Sequence, residues 1–578
     1  MRWAPLAPSR TGGQPGFTEL DARRQGIDHV GHVDPEALRA NRMLADGAGV
    51  ALGDVDGDGL VDAFFASLSG PNALYLNRGG WRFERVPDAG GAALSDDATR
   101  GVALGDVDGD GDLDLVAAVF GGPNRVFLND GSAHFVDAGP QAGLLDEARG
   151  STTPALADVD GDGDLDLYIA NYKRVGVDDL YGPEARAFDR VVRAEGESFV
   201  VVPEFREHYR IERDGNRLRR FEFAEPDEFY LNEGGGRFRA VEFTSGAFVD
   251  EAGRPLRRAP DDWSLSAQFR DLDLDGDPDL LIASDFESPD RFWMNRGDGT
   301  FQALSPLALR TTSASSMALD AADADLDGDL DLVTVDMLAR DPERRLRQVH
   351  QFGPEPTPPG AGGRRVQVNR NTFQVARGDG TWSERAWQAG IAASGWTWSV
   401  VFGDLDLDAY PDLLLSTGHR WDLLDGDVAV ELPGRAAGDA WRDRMSLYPP
   451  LPLPDVAFRN RGDLTFEDVS EAWGVAGEPG VSHAIALADL DRDGDLDAVI
   501  TRLDAPPRLL RNDAGAPRVV LRLRGRAPNT RAVGAAVTFE AEGLPAQRAE
   551  VRAGGLYLSG SDTDLVFAVG GAARATVT

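Results

Sequence analysis

Short apolar runs recur along the chain, each directly after a cluster of aspartates: "AFFAS" from 63, "LVAAV" from 115, "LYIAN" from 167, "LIAS" from 281, "LVTVD" from 332, "LLLST" from 413 and "AVITR" from 498. They are rich in β-formers and too short to be helices, so each predicts a strand. A second apolar segment such as "GVALGD" precedes most clusters. A third ends in asparagine: "LYLN" from 74, "VFLN" from 126, "FYLN" from 229, "FWMN" from 292, "AFRN" from 457 and "LLRN" from 509. A glycine turn and an aromatic segment usually follow, as in "NRGDGTF" from 295. One unit therefore reads strand, acidic loop, strand, strand, turn, strand. Seven such units predict an all-β protein, a seven-bladed β-propeller with its acidic loops between the first and second strands of each blade.

The acidic clusters begin at 54, 106, 158, 271, 323, 404 and 489, and the starts at 54, 106 and 158 are 52 residues apart. Their pattern is D-x-D-x-D-G-x-x-D. Side chains at positions 1, 3, 5 and 9 and a backbone carbonyl at position 7 can wrap one hard cation in oxygen ligands, and calcium tolerates such a flexible cage better than magnesium. The candidate ligands are Asp54, Asp56, Asp58, Leu60 and Asp62; Asp106, Asp108, Asp110, Asp112 and Asp114; Asp158, Asp160, Asp162, Asp164 and Asp166; Asp271, Asp273, Asp275, Asp277 and Asp279; Asp323, Asp325, Asp327, Asp329 and Asp331; Asp404, Asp406, Asp408, Tyr410 and Asp412; and Asp489, Asp491, Asp493, Asp495 and Asp497. About seven Ca2+ sites are expected. Glycine at position 6 supplies the positive φ of the sharp turn. The sixth loop has Ala409 there, so it should be the weakest or stay empty.

The seventh unit lacks its aromatic fourth strand, whereas the N-terminus has a spare one, "GFTEL" (16–20). That strand should complete the last blade and leave no open edge. The expected organisation is a tail over 1–15, the propeller over 16–515 and a small C-terminal β module over 516–578. Insertions at about 173–227, 337–371 and 418–454 all fall between second and third strands, which puts them on the face opposite the acidic loops. Long loops on a rigid scaffold commonly carry binding. Candidates for a ligand face there are Arg100, His208, Tyr209, Trp398, His419, Arg420, Trp421 and His483. The alternative is that the aromatic side chains form small local cores beneath the loops. Seven residues before each loop lie Gly47, Thr99, Ser151, Ser264, Ser316, Thr397 and Ser482. Those hydroxyls either cap local turns or ring the axis.

Composition narrows the function. With 59 basic and 97 acidic residues the formal charge is −38, which argues against nucleic acid as a partner. There is no cysteine, which removes disulfides and thiolate chemistry. No apolar run is long enough for a spanning helix, and the start as given shows no signal-peptide core. Loops of millimolar-range calcium affinity fill outside cells, so an extracellular or periplasmic setting is expected. None of the seven histidines (His29, His32, His134, His208, His350, His419 and His483) sits in a metal-hydrolase spacing. The reading is a monomeric adhesion or binding module for a protein or glycan, with no catalytic residue assigned. Its rivals are a polysaccharide lyase or hydrolase and a purely structural spacer.

The seven loops and the "LNxGxGxF" strands resemble FG-GAP/VCBS repeats, the calcium-binding propeller repeats also seen in integrin α-chains. "PNTRAVGAAV" (528–537), "QRAEVRAGGLYLSG" (547–560) and "LVFAVG" (565–570) resemble the ASPIC/UnbV domain, although "FAVG" departs from the usual aromatic-Gly-Leu-Gly ending and predicts a truncated module. With "VDMLARDPERR" (335–345) and "NRNTFQVARGDGTW" (369–382), the whole chain resembles the cartilage-acidic-protein-like group of secreted proteins. That resemblance implies an architecture rather than an activity.

Overall fold

The computed structural model describes residues 5–7, 15–196, 198–214, 217–286, 288–349, 365–435 and 438–578. His350, the "GPEPTPPGAGG" stretch and most of the tail 1–15 lie outside the described residues.

The chain forms a β-propeller of seven sheets, each built on four antiparallel strands and six of them with those strands in chain order 1-2-3-4; Ala553–Gly554 adds a fifth strand to sheet three, and Phe248–Val249 pairs parallel at the edge of sheet four. The first strands are Val50–Gly53, Thr99–Gly105, Ser151–Ala157, Trp263–Arg270, Ala318–Ala322, Thr397–Gly403 and Ser482–Ala488. Each lies against the next round a central axis, and the last lies against the first. They are almost wholly buried, because a neighbouring sheet covers each face, whereas the outer strands bury their leading aromatic residue and leave most of the rest open, as in Phe83–Val86. In sheet seven the fourth strand is Phe17–Leu20, paired antiparallel with Arg508–Asn512 from Phe17↔Asn512 to Leu20↔Leu509. The N-terminus thus closes the ring.

Apolar side chains interleave between neighbouring sheets. Phe64, Leu74, Leu104 and Phe127 fill the space between sheets one and two, and Tyr168, Phe229, Phe248 and Trp293 that between three and four. Fully burying a side chain of this size contributes about 1.5–3 kcal/mol.

The C-terminal strands Arg518–Leu521 and Leu565–Ala568 pair with each other, and Ala536–Ala541 is flanked by Gln547–Glu550 and Ala575–Val577. Phe539, Val551 and Phe567 share a core with Val107, Leu165 and Ile169 of the propeller. From this module one segment enters the axis. Ala553 and Gly554 pair with Leu156 and Ala155, Leu558 N–H bonds to Thr153 Oγ1 at 3.0 Å, and Tyr557 OH donates to Asp46 O at 2.8 Å. Tyr557 and Leu558 are fully buried there. The fit needs glycine: a Cβ on Gly49 would lie 1.8 Å from Leu558 O.

Candidate metal centres and the opposite face

In each acidic loop the first aspartate accepts the backbone N–H of position 6, as in Gly59→Asp54 Oδ2 at 3.0 Å, Gly111→Asp106 Oδ2 at 3.0 Å and Gly328→Asp323 Oδ2 at 3.0 Å. Position 6 has positive φ throughout: Gly59 88°, Gly111 105°, Gly163 95°, Gly276 100°, Gly328 101° and Gly494 94°. Ala409 adopts φ 86° in the sixth loop, so the chain accepts the strain there, about 1 kcal/mol, instead of changing the turn. Position 4 is left-handed as well. It is Gly57, Gly109 and Gly161 in the first three loops, but Leu274, Leu326, Leu407 and Arg492, at φ 60–64°, in the others. The consensus read from the sequence did not mark that position.

The ninth aspartate has a second task. Asp62 accepts Val55 N–H at 3.0 Å on one oxygen and Asn77 N–H at 2.8 Å on the other. Asp114, Asp166, Asp279, Asp331, Asp412 and Asp497 repeat the pair of bonds, which ties each loop to its third strand. Asn77 at the end of that strand donates to Val61 O in its own loop and to Leu490 O in the loop of the preceding sheet. Asn129, Asn232, Asn295, Asn460 and Asn512 do the same to their own neighbours. Sheet five carries Ala376 at this position instead.

Carboxylate oxygens of Asp54/Asp56/Asp58, Asp106/Asp108/Asp114, Asp158/Asp160/Asp166, Asp271/Asp273/Asp275 and Asp323/Asp325/Asp327 lie within 4.8 Å of one another. Ligands about 2.4 Å from one calcium ion can be no farther apart than about 4.8 Å. Several loop carboxylate oxygens, including ones in the sixth and seventh loops, are buried with no hydrogen-bond partner among the described residues: Asp54 Oδ1, Asp271 Oδ1, Asp325 Oδ1, Asp406 Oδ1, Asp489 Oδ1 and Asp491 Oδ1. A buried, unpartnered carboxylate oxygen is costly, and a hard cation removes that cost. Burial, aided by neighbouring carboxylates, pushes Asp62, Asp114, Asp166, Asp279 and Asp331 up to about 8. The residues present therefore fit calcium. The sixth loop also holds a cation of its own: Arg459 Nε and Nη2 reach Asp406 Oδ2 at 2.5 Å and Asp408 Oδ2 at 2.7 Å.

The C-terminal module covers this face. Arg518 bonds Asp493 Oδ1 at 2.7 Å and Asp495 Oδ2 at 3.1 Å, Thr530 donates to Asp106, and Arg548 pairs with Asp271 at 3.5 Å.

On the opposite face the six hydroxyl residues that lie seven positions before the loops are buried, and five of them, all but Ser316, are engaged. Asn72 Nδ2 donates to Thr99 Oγ1 at 3.0 Å, while Ser264 donates to Asp227 at 2.8 Å and Ser482 to Asp455 at 3.0 Å, each joining one sheet to the next. Ser151 bonds Asn171 within its own sheet, and Thr397 shares a bond with Ser394. They staple the ring and do not line a channel. The segment around Arg42–Asp46 lies over Arg100 and His483: Arg100 bonds Met43 O and Asp46, and His483 Nε2 bonds Ala45 O at 3.0 Å. Both are buried beneath it. His208 and Tyr209 belong to a local core of the first insertion, with Tyr181 and Phe205. Arg420 pairs with Asp504 at the surface.

Trp398, His419 and Trp421 meet in a concave cavity that opens on the insertion face. Trp396 and His419 stack at 4.2 Å, with Trp398 5.7 Å from the same imidazole. Tyr557 of the axial segment stacks on Trp398 at 5.6 Å, so the C-terminal module supports the cavity from below. Tyr172, Phe286, Asp46, Asp285 and Asp336 complete much of the lining. Burial pushes Asp46 up to about 7 and Asp285 and Asp336 to about 6, and lowers His419 to about 4, which leaves its imidazole neutral at pH 7. Asp285 and Asp336 both follow the apolar run of a second strand, whereas Asp46 lies outside the repeats.

The FG-GAP-like repeat model matches residues 54–117, 106–169, 271–334 and 364–415. Cartilage acidic protein 1 of Xenopus tropicalis is 31% identical over 174 residues, 30% of this chain and 25% of that protein. The Homo sapiens protein of that name is 33% identical over 165 residues, 25% of this chain and 24% of that protein. The chain thus spans about a quarter of the length of these curated relatives. An Agrocybe aegerita lectin, solved for its recognition of non-reducing terminal N-acetylglucosamine, superposes with a TM-score of 0.38 at 15% identity, covering 81% of this chain and 94% of the lectin.

Proposed function

We propose that this FG-GAP-repeat propeller, similar in part to cartilage acidic protein 1, is a calcium-stabilised binding module of the extracellular or periplasmic space. Its acidic loops hold the ring together, and its insertion face takes a protein or glycan partner. Calcium would be held by the carboxylates at positions 1, 3, 5 and 9 and the carbonyl at position 7 of each loop, and would neutralise charge that otherwise repels. In the sixth loop Arg459 already does part of this. The observation that carries the binding assignment is the aromatic cavity at the axis of the insertion face, walled in part by the second and third insertions and the segment near Arg42. Concave, mostly apolar cavities with a few polar groups are where ligands bind. The acids Asp285 and Asp336 would repel a uronate polymer, which weighs against a lyase acting on acidic polysaccharide.

The test is retention of the full chain, in calcium, on glycan and protein arrays, alongside a variant with Trp421→Leu in the cavity wall. Retention lost in the variant supports the reading. Retention unchanged in the variant, or none by the unmodified protein, refutes it. Unsaturated sugar product near 235 nm from a uronate polymer would establish the lyase instead.

A further inference from the structure

We infer that the axial cavity of the insertion face binds a quaternary ammonium group, a choice of ligand that rests on the binding role given above to that face. The cavity joins two features that suit such a cation. Its walls are aromatic: Trp396, Trp398, Trp421, Tyr172 and Phe286 all line it, with Met43, Met317 and Met337 beside them. The faces of aromatic rings carry negative potential and attract cations, most strongly where water is excluded. Its charged groups are mainly acids. Asp46 is paired with Arg100 at 3.1 Å. Arg42, which also lines the cavity, is held by Asp178 at 3.5 Å and Asp179 at 3.9 Å. Asp285 and Asp336 have no cation within ion-pair distance among the described residues. His419 is neutral, so it adds no positive charge.

Hydrogen bonding decides between kinds of cation. Asp285 already accepts Tyr172 OH at 2.7 Å and Phe286 N–H at 2.6 Å, with Ser315 as a further donor. Asp336 accepts Ser313 Oγ, Ser315 N–H at 3.3 Å and Met337 N–H at 2.5 Å. Their acceptor positions are largely taken by the protein, while neither is ion-paired among the described residues and Arg42 acts on Asp285 only at longer range. A ligand with N–H groups would leave those groups poorly satisfied in the cavity. A fully alkylated ammonium has none to satisfy, yet gains both the carboxylate field and the ring faces. Trp396 Nε1–H is buried without a partner among the described residues. Choline, whose hydroxyl oxygen could accept from it, is therefore the probe.

The experiment is isothermal titration calorimetry of the calcium-loaded full chain with choline and with 3,3-dimethylbutan-1-ol, its neutral isostere of the same shape. Choline should bind at least about tenfold tighter than the isostere. Asp285→Asn, which keeps the shape and removes the charge, should weaken choline several-fold while the variant stays folded, as its melting curve checks. Trp421→Leu, at a half-buried position, should do the same. Equal binding of choline and isostere, no heat with choline, or unchanged affinity in both variants would overturn the proposal. If choline fails while the arrays still show cavity-dependent retention, for instance on a neutral amino-sugar glycan, the ammonium inference falls and the binding module stands. If choline and arrays are both blank, the binding module falls too.

Discussion

Arg459→Leu should have opposite consequences with and without calcium. The guanidinium reaches Asp406 at 2.5 Å and Asp408 at 2.7 Å. The Asp406 side chain is only 3% exposed, whereas that of Arg459 is 39% exposed. Stripping the partner from a fully buried charge costs about 3–5 kcal/mol, but solvent screens this half-open arginine, so about 2 kcal/mol is the reasonable figure. In a chelator the variant should melt about 2 °C below the unmodified protein. Arginine and calcium compete for the same two carboxylates, and linkage makes the effect reciprocal. Removing the arginine should therefore tighten calcium at the sixth loop by up to about 30-fold, the equivalent of 2 kcal/mol. Calorimetric titration reads that as one more site, or as a stronger weakest site, and melting curves at saturating calcium should nearly coincide. A calcium isotherm identical to that of the unmodified protein would refute the reasoning. So would a melting deficit as large in calcium as in chelator.

Ala409→Gly removes a left-handed alanine, which relieves about 1 kcal/mol of strain. It also loses a methyl packed near Ala514 and Ala568. Stability without metal should therefore barely change while calcium affinity at the sixth loop rises; an unchanged isotherm would count against strain as the cause of weakness. Asp108→Ala removes a candidate ligand in the second loop and should lower the melting temperature in calcium but not in chelator, where it only relieves repulsion; equal melting curves in calcium would argue against an ion there. Gly49→Ala places a methyl 1.8 Å from Leu558 O, so the axial segment cannot seat, and limited proteolysis should release the C-terminal module early. Proteolysis at the unmodified rate would show that the segment does not anchor the module.

The repeating parts of the molecule were legible in the sequence because one local pattern recurs with its turn residues. The strands flanking the loops, the side on which the insertions emerge, and closure by Phe17–Leu20 all follow from it. What was not legible depends on contacts between distant residues. Leu274, Leu326, Leu407 and Arg492 adopt left-handed φ because the loop geometry is imposed by the neighbouring sites, against their own preference. The asparagines were visible as a motif, but their bonds to the neighbouring sheet's loop appear only once the ring is assembled. Arg100 and His483 looked like axial ligands by position, yet the segment around Arg42–Asp46, which has no repeat pattern, covers both. Asp285 and Asp336 lie at the ends of the second strands of neighbouring sheets and Asp46 lies in a segment with no repeat pattern, and only the closed ring brings them to one cavity.

The account stands or falls on calcium stabilising the wheel, and differential scanning calorimetry of the full chain with and without saturating calcium measures this directly. Each filled loop adds about 2.7 kcal/mol when the ion is at a hundredfold excess over its Kd. Several loops together should raise the melting temperature well beyond the few degrees any single substitution causes, and magnesium should not substitute at equal concentration. A melting temperature that is the same in calcium and in chelator would contradict the claim.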